Sequence, residues 1–148
     1  MRRSLDKPAL TTDVIVGFPG ETEEDFAATC RVAEEVGFSK MHIFPFSPRR
    51  TTPAATMPDQ VDAGVKAERA RRLADLERQL RKQYFESLVG RELEVLAESH
   101  SEATAMLAGT ACRYAPVELP ADAARVGRFV RVTAQSVADD RLQAVPSA

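Results

Sequence analysis

Cysteine is scarce in this chain of 148 residues, tryptophan is absent, and no apolar run is long enough to cross a bilayer. The two cysteines, Cys30 and Cys112, are far apart and have no neighbouring Cys or His at a ligand spacing. The sequence therefore indicates neither a metal site nor a disulfide framework. The first residues lack the apolar core of a signal peptide. We therefore expect a cytoplasmic protein without a membrane partner.

An excess of positive charge is also missing, because the formal net charge is −2. The chain as a whole has no electrostatic attraction to nucleic acid. Residues 61–90 nevertheless hold a local surplus of Lys and Arg over Asp and Glu. An RNA would meet this stretch first, although such charge runs usually form a solvated face.

The first sixty residues predict one βαβ unit. A β-branched run at 13–17 is typical of a strand that is covered on both faces in a larger sheet. A Gly-Pro-Gly turn follows, and Thr22 with Asp25 three residues later predicts a capped helix that ends at Gly37. Residues 40–46 then predict a second, parallel strand.

The second half changes from a helical to an alternating pattern. After a proline-punctuated loop, residues 61–88 show apolar side chains three or four apart, which predicts a long helix with its cap at Asp59. The apolar stripe of this helix is predicted to comprise Val65, Leu73, Leu76, Leu80, Tyr84 and Leu88. Beyond Gly90, short alternating runs at about 91–98, 105–114, 128–134 and 142–145 predict a small antiparallel β-barrel.

The turn from Gly17 to Glu21 lies where α/β proteins place ligands, at the carboxyl end of a parallel strand. Acidic residues crowd the following helix start, and neither GxGxxG nor GK[ST] is present. The turn therefore does not favour a polyphosphate, and an adenine edge or a neutral or cationic group fits better. A tight strand-to-helix turn without a ligand is the structural alternative. Arg49 and Arg50 follow the second strand and either bind an anion or belong to a solvated loop.

The predicted barrel has the scale of oligonucleotide-binding barrels, but its arginines are outnumbered by Asp and Glu. Tyr114 and Phe129 are its candidates for stacking on bases. His42 and His100 have no partner at a catalytic or metal-ligand spacing, so we interpret both as structural. The residues by themselves indicate a βαβ piece and a small β-barrel with a candidate RNA-binding role.

Five segments in order carry a resemblance to a known family. They are TDVIVGFPGETEEDF (12–26), GFSKMHIFPFSPRRTTPAA (37–55), MPDQV (57–61), KAERARRL (66–73) and VGRELEVLAE (89–98). Together they resemble the C-terminal part of the radical S-adenosylmethionine methylthiotransferases, with the greatest similarity to the branch that modifies threonylcarbamoyladenosine in tRNA. The barrel is similar to the TRAM domain, the RNA-binding module of that family.

The resemblance implies an α/β plus all-β fold. It comprises a βαβ piece of a radical S-adenosylmethionine partial TIM barrel (1–60), a basic linking helix that closes that barrel (61–88) and an OB-like TRAM barrel (89–148). It also implies a transferase that adds a methylthio group next to the anticodon with S-adenosylmethionine and two iron–sulfur clusters. The family's CxxxCxxC motif is absent, and Cys30 and Cys112 match no cluster ligand. We therefore expect no catalytic residue or metal ligand in this chain, and an inactive fragment whose partners are tRNA and a missing N-terminal part.

The resemblance also implies site residues. Ile15, Gly17, Phe44 and Phe46 match segments that approach the adenine of the cofactor, although the acid usual in the motif is replaced by Gly20, with Glu21 one position later. Thr51 stands where the family usually has glycine, which would strain the loop if that position needs positive φ. The residues expected to bind the RNA of the anticodon stem-loop are Arg49, Arg50, Lys66, Arg69, Arg72, Arg113 and Tyr114.

Two alternatives stay open at this point. One is a free-standing RNA-binding protein without catalysis, and the other is a fragment of the related enzyme that modifies a ribosomal-protein aspartate. If the first strand lacks sheet neighbours, its edge and apolar surface should be exposed and should favour association.

Overall fold

The computed structural model describes residues 5–101 and 105–147. They divide into two compact units. The α/β unit comprises residues 10–81, and the β unit comprises residues 82–147 together with residues 5–9. The division falls inside a long helix, whereas the predicted boundaries placed that whole helix in a separate linking segment.

The α/β unit contains the predicted βαβ arrangement. Strands β1 and β2 pair in parallel, from Thr11 opposite Lys40 to Val16 opposite Pro45, and the first helix connects them. A short 3₁₀ helix lies in the loop that follows the second strand. In chain order the elements are β1 (Thr11–Val16), α1 (Glu23–Val36), β2 (Lys40–Pro45), the 3₁₀ helix (Pro53–Thr56) and α2 (Ala63–Glu86).

Both ends of α1 follow the sequence prediction. The Thr22 hydroxyl accepts a hydrogen bond from the Asp25 N–H at 3.1 Å, and the Asp25 carboxylate accepts one from the Thr22 N–H at 2.9 Å. These two bonds form a reciprocal capping box that satisfies two free donors of the helix start. The hydrogen bond from the Thr22 hydroxyl lowers the pKa of Asp25. At the other end, Gly37 adopts a left-handed conformation with φ of 61°, which glycine adopts without side-chain strain.

The start of α2 differs from the prediction. The cap is Asp62, whose carboxylate accepts a hydrogen bond from the Gly64 N–H at 2.7 Å, and the predicted cap at Asp59 is wrong. The carbonyl of Asp59 instead accepts a hydrogen bond from the Gly20 N–H at 2.9 Å, so this residue is used in the loop. Val65, predicted to lie in the buried stripe, is exposed because it faces away from the α/β core.

Only one face of the β1–β2 sheet is covered by described residues. On that face, Val16 and Met41 pack with Phe26 of α1 and Leu73 of α2 in one buried cluster. The opposite face presents Ile15 and Phe44, which are 55% and 52% exposed. In the described part of the chain β1 pairs with no strand other than β2, so the exposed apolar surface expected of this strand is present.

The β unit consists of five strands in one small sheet. The strands pair in the order β3-β4-β5-β7-β6, and β6 pairs back to β3, so every strand has two neighbours. The prediction of a purely antiparallel arrangement is wrong, because β5 and β7 are parallel at Val117–Leu142 and Glu118–Gln143. The strands are β3 (Glu92–Ser101), β4 (Met106–Ala111), β5 (Pro116–Pro120), β6 (Phe129–Ala138) and β7 (Arg141–Pro146).

Strand β5 is absent from the sequence prediction, because the alternating pattern indicates a single run at 105–114. Prolines at both ends of the strand argue against strand structure, but they are tolerated at strand termini. The core of the β unit contains alternating strand residues such as Leu93, Val95 and Val132. They pack with Tyr84 and Phe85 in the last turn of α2 and with Leu88 just after it. The helix end thus fills the interior that five short strands would leave open.

Candidate functional site

An open cleft lies on the exposed face of the α/β unit, at the carboxyl ends of β1 and β2. We call it the strand-end cleft, and its volume is about 580 Å³. This size is within the range of small-molecule sites. The cleft is lined by Asp13, Ile15, Phe44, Pro45, Phe46, Ser47, Arg49, Thr52 and Ala54.

Three of the four residues predicted to approach the cofactor therefore meet at one site. Ile15 and Phe44 lie opposite each other in the β1–β2 register and supply an apolar wall. The ring of Phe46 is held edge-to-face against Phe18, with 5.1 Å between the centroids. An apolar wall with a few polar groups at its rim fits a planar ring such as adenine.

Gly17, the fourth predicted residue, lies at the end of β1 outside the cleft lining and supports the turn. Its N–H donates to the Glu21 carboxylate at 2.7 Å. The same carboxylate oxygen accepts a hydrogen bond from Arg69 of α2 at 2.6 Å, and Arg69 also donates to the Glu21 carbonyl at 3.1 Å. The side chains of Arg69 and Glu21 are only 6% and 12% exposed. Glu21 is therefore held in a nearly buried position by Gly17 and Arg69. In the sequence it lies one position after the place where the resemblance led us to expect an acid.

Lys66 forms a second link between α2 and the strand ends. Its Nζ donates to the Phe46 carbonyl at 3.2 Å, and its methylene groups lie against Gly17. A Cβ atom at Gly17 would be 2.2 Å from Cγ of Lys66, so only glycine leaves room for this side chain. Lys66 and Arg69 thus hold the carboxyl ends of both strands, and Arg69 offers no surface to a polyanion.

Replacing Gly17 with alanine is expected to lower the free energy of unfolding by about 2 kcal/mol. Gly17 has φ of +71°, where a Cβ costs about 1–2 kcal/mol, and the new methyl group must also displace Lys66. Gly20→Ala is the matched control, because Gly20 has φ of +82° but no atom within 4 Å of the position that an added Cβ would take. Urea unfolding of both variants measures the difference, and equal losses would contradict the role of Lys66.

Arg72 is partly exposed and already paired. It donates to the Glu23 carboxylate at 2.6 Å, and its guanidinium lies 4.8 Å from the centroid of the Phe26 ring. The hydrogen bond from Arg72 lowers the pKa of Glu23. With 44% of its side chain exposed, Arg72 keeps some surface for a further contact.

The loop after β2 places Arg49 and Arg50 at the surface. Arg49 lines the cleft, and its carbonyl accepts hydrogen bonds from the N–H and hydroxyl of Thr52, both at 2.9 Å. Arg50 is exposed in the same turn. Thr51 does not have positive φ, so the strain that its replacement of glycine would cause is not present.

In the β unit, Arg113 and Tyr114 lie in the turn between β4 and β5. Arg113 donates to Asp6 at 3.2 Å, and Arg91 donates to both oxygens of Asp6 at 2.7 and 2.8 Å. The hydrogen bond from Arg91 lowers the pKa of Asp6. The Tyr114 ring is 81% exposed, on a residue with φ of +56°.

The supporting residues Glu21, Asp6 and Arg91 were not identified as such by sequence reasoning. Glu21 and Arg69 are 48 positions apart, and Asp6 and Arg91 are 85 positions apart. No local pattern connects positions so distant. Of these three residues, only Glu21 has a feature in the sequence that could point to its role, since it lies next to the position where an acid is expected.

Among residues 5–101 and 105–147, no group of three or more His, Cys, Asp or Glu side chains could hold a metal ion. Cys30 is half-buried and burial raises the pKa of its thiol, while Cys112 is exposed. Among these described residues, the strand-end cleft offers an apolar wall to a planar ring. In the same residues, no helix has the length and apolar character needed to cross a membrane.

Comparison with curated proteins shows similarity to tRNA methylthiotransferases over nearly the whole chain. The threonylcarbamoyladenosine tRNA methylthiotransferase MtaB of Bacillus subtilis is 42% identical over 135 residues, which is 89% of this chain. The tRNA-2-methylthio-N(6)-dimethylallyladenosine synthase of Moorella thermoacetica is 43% identical over 133 residues, also 89% of the chain. The synthase of the same name from Thermobifida fusca is 51% identical over 96 residues, or 65% of the chain. No family model matches the sequence.

These relatives are much longer than the chain. It spans about 30% of the length of the Bacillus and Moorella enzymes and 19% of the Thermobifida enzyme. The chain is therefore homologous to one part of these tRNA methylthiotransferases.

Proposed function

We propose that this chain forms the C-terminal part of a tRNA methylthiotransferase that adds a methylthio group to threonylcarbamoyladenosine next to the anticodon. The observation that carries this proposal is the 42% identity with the Bacillus subtilis enzyme over 89% of the chain. The chain is about 30% of that enzyme's length, so the remaining part would be supplied by a preceding segment. The enzyme would act in the cytoplasm, where tRNA is modified.

The α/β unit would contribute part of a radical S-adenosylmethionine barrel. When bound, S-adenosylmethionine with the family's two iron–sulfur clusters supplies the radical chemistry that activates an adenine carbon of the tRNA. In this chain Ile15 and Phe44 would form one apolar wall for the cofactor adenine, next to Phe46. Gly17 would support this wall, because its N–H fixes the Glu21 side chain in the turn.

The chain spans about 30% of the Bacillus enzyme's length, and the iron–sulfur clusters would be held by a part of the enzyme that these residues do not include. Cys30 and Cys112 do not form a CxxxCxxC motif, so no step of the chemistry is assigned to either. We therefore propose that this chain alone does not catalyse the transfer.

The tRNA would be contacted by both units. Arg49, Arg50 and the exposed part of Arg72 are available on the α/β unit, and Tyr114 is available for stacking on the β unit. The β unit, with its small five-stranded sheet, would act as the TRAM-type RNA-binding module. Lys66, Arg69 and Arg113 would serve mainly to hold the protein together, since each is hydrogen-bonded within its own unit.

A second substrate is favoured by one specific observation. The Moorella thermoacetica relative, which is named for dimethylallyladenosine, is 43% identical over 89% of the chain. The Bacillus enzyme is 42% identical over the same share of the chain, so the alternative is methylthiolation of dimethylallyladenosine in tRNA. The two substrates differ in the group on the adenine N6, and a product analysis separates them.

Grafting this chain in place of the matching segment of the Bacillus subtilis enzyme is expected to restore methylthiolation of threonylcarbamoyladenosine in a strain lacking that enzyme. The graft would supply the strand-end cleft and the β unit to an enzyme that already holds its clusters. Mass spectrometry of nucleosides from total tRNA measures the product. A soluble, folded graft that gives no methylthiolated nucleoside would contradict the proposal.

Two controls sharpen this experiment. In the graft, Ile15→Lys should abolish the product because it puts a charge on the apolar wall, whereas Val65→Lys, at an exposed position outside the cleft, should retain it. The same graft in the Moorella enzyme tests the second substrate. Product from that graft and none from the Bacillus graft would favour dimethylallyladenosine.

A further inference from the structure

The structure sorts the arginines of the β unit into two groups. Arg91 and Arg113 are paired with Asp6, and Arg141 donates to Glu118 at 3.4 Å. Within the described residues, the other three form no ion pair with a carboxylate and are exposed. The three are Arg125, Arg128 and Arg131.

These three unpaired arginines are concentrated on one short segment. Residues 123–138 contain all three and no Asp or Glu. Residues 89–148 as a whole hold six Arg and no Lys against eight Asp and Glu. Among the described residues, the unpaired arginines of this acidic stretch are therefore collected at the start of β6 and in the loop before it.

An aromatic ring lies within the same segment. Phe129 is 68% exposed, and it faces outward beside Leu96 because the neighbouring Val130 and Val132 turn towards the core. An exposed Phe at the start of β6 is costly to leave in water, since its burial is worth about 1.5–3 kcal/mol. We call Arg125, Arg128, Phe129 and Arg131 the basic strip.

The main chain holds the basic strip without using its side chains. The Gly127 N–H donates to the Ala97 carbonyl at 2.7 Å, and the Ala97 N–H donates to the Arg128 carbonyl at 3.0 Å. The segment is thus anchored to β3 at Gly127 and at Arg128. The arginine and phenylalanine side chains remain free to contact another molecule.

We propose that the basic strip is the surface on which the β unit binds single-stranded RNA, with a base stacked on Phe129 and phosphates on the three arginines. The proposal rests on the function proposed above and assigns its RNA contact to residues other than Arg113. Unpaired arginines around an exposed ring match the two features of single-stranded RNA, a charged backbone and stackable bases. Glu94 lies opposite Arg131 on β3 and limits the strip on that side.

Binding of the full chain to a labelled oligouridylate of about twelve nucleotides tests the proposal, since single OB-type sites cover about 4–16 nucleotides. The variant carrying Arg125→Gln, Arg128→Gln and Arg131→Gln should bind at least tenfold more weakly. The slope of the logarithm of the binding constant against log salt concentration is negative, and it should become less steep by about 2. The reason is that each phosphate contact on a single strand contributes about 0.7 to its magnitude. Arg141→Gln is the matched control, because it removes a paired arginine of the same unit, and its slope should stay unchanged.

Phe129→Ala separates stacking from charge. It should weaken binding about tenfold with an unchanged salt slope, because stacking of a base on an aromatic ring does not release counterions. Phe129→Leu keeps an apolar side chain without the ring and should be nearly as weak. Circular dichroism melts of each variant should match that of the unchanged chain, as expected of exposed positions.

The proposal would be overturned if the triple variant kept the affinity and the salt slope of the unchanged chain. Undetectable binding of oligouridylate by the unchanged chain would also overturn it and would favour a protein partner for the strip. The graft experiment distinguishes the two proposals. If the graft methylthiolates tRNA while the triple variant leaves its KM for tRNA unchanged, only the basic strip is wrong. If the graft is inactive while the strip binds oligouridylate with the expected salt slope, only the proposed reaction is wrong.

Discussion

Replacing Arg69 with methionine is expected to lower the free energy of unfolding of the α/β unit by about 3–5 kcal/mol, because it leaves the Glu21 carboxylate without its cation in a nearly buried position. Methionine has a similar length and keeps much of the contact with the Phe26 ring, over which the guanidinium lies at 5.6 Å. The loss would therefore report the charge rather than the volume. It would exceed the effect of a surface ion pair, which is about 0–1 kcal/mol.

The double variant Glu21→Gln with Arg69→Met provides the control. It removes both charges together, so part of the lost stability should return relative to Arg69→Met alone. Urea unfolding followed by far-UV circular dichroism measures this, because α1 and most of α2 belong to the α/β unit. A loss below 1 kcal/mol in the single variant would contradict the structural role of the pair.

Arg71→Met is a second, independent comparison on the same helix. Arg71 pairs with Glu68 and Asp75, but its side chain is 64% exposed. Its removal should change stability by no more than about 0.5 kcal/mol. The contrast between neighbouring arginines tests whether burial, rather than the number of ion pairs, determines the effect.

Replacing Gly109 with alanine is expected to destabilise the β unit by about 3 kcal/mol, at the upper end of the cost of overpacking. The added Cβ would lie 2.2 Å from the Leu96 carbonyl oxygen and 2.8 Å from Cγ1 of Val95. The oxygen belongs to the main chain of β3, where neighbouring hydrogen bonds to β4 and β6 restrict its movement. Relief therefore requires a shift of the strand rather than of a flexible side chain.

Ala108→Val is the matched control, because Ala108 is the preceding residue of β4 and is only half-buried. It should change the stability by no more than about 0.5 kcal/mol. Both tyrosines of the chain lie in the β unit, so near-UV circular dichroism of tyrosine follows the unfolding of this unit. Equal stability of Gly109→Ala and the unchanged chain would show that β3 and β4 can separate at this point.

Much of the fold is readable from short stretches of the sequence. Thr22, Asp25 and Gly37 mark both ends of α1 because capping involves atoms only a few residues apart. The failures have a common cause. Asp59 looked like a helix cap but is used by the turn at Gly20, and β5 was hidden by its flanking prolines, although β4 and β7 supply its pairing partners.

The site shows the same division. Ile15, Phe44 and Phe46 were predicted from a resemblance to a known family, and the parallel register of β1 and β2 brings them to one cleft. The uses of the charged residues were not predictable in this way. Arg69 and Lys66 looked like members of a basic helix face, whereas each is directed inward to a specific oxygen of the turn or strand end.

The helices, most strands, the two kinds of unit and the similarity to tRNA methylthiotransferases follow from the sequence alone, because these depend on local periodicity and on ordered motifs. Which charges are neutralised inside the protein follows only from the packing of distant segments. An ion pair depends on distance in space, and Asp6 reaches Arg91 across 85 positions of the chain. In the described part of the β unit, Arg91, Arg113 and Arg141 are paired with carboxylates in this way, whereas Arg125, Arg128 and Arg131 are not.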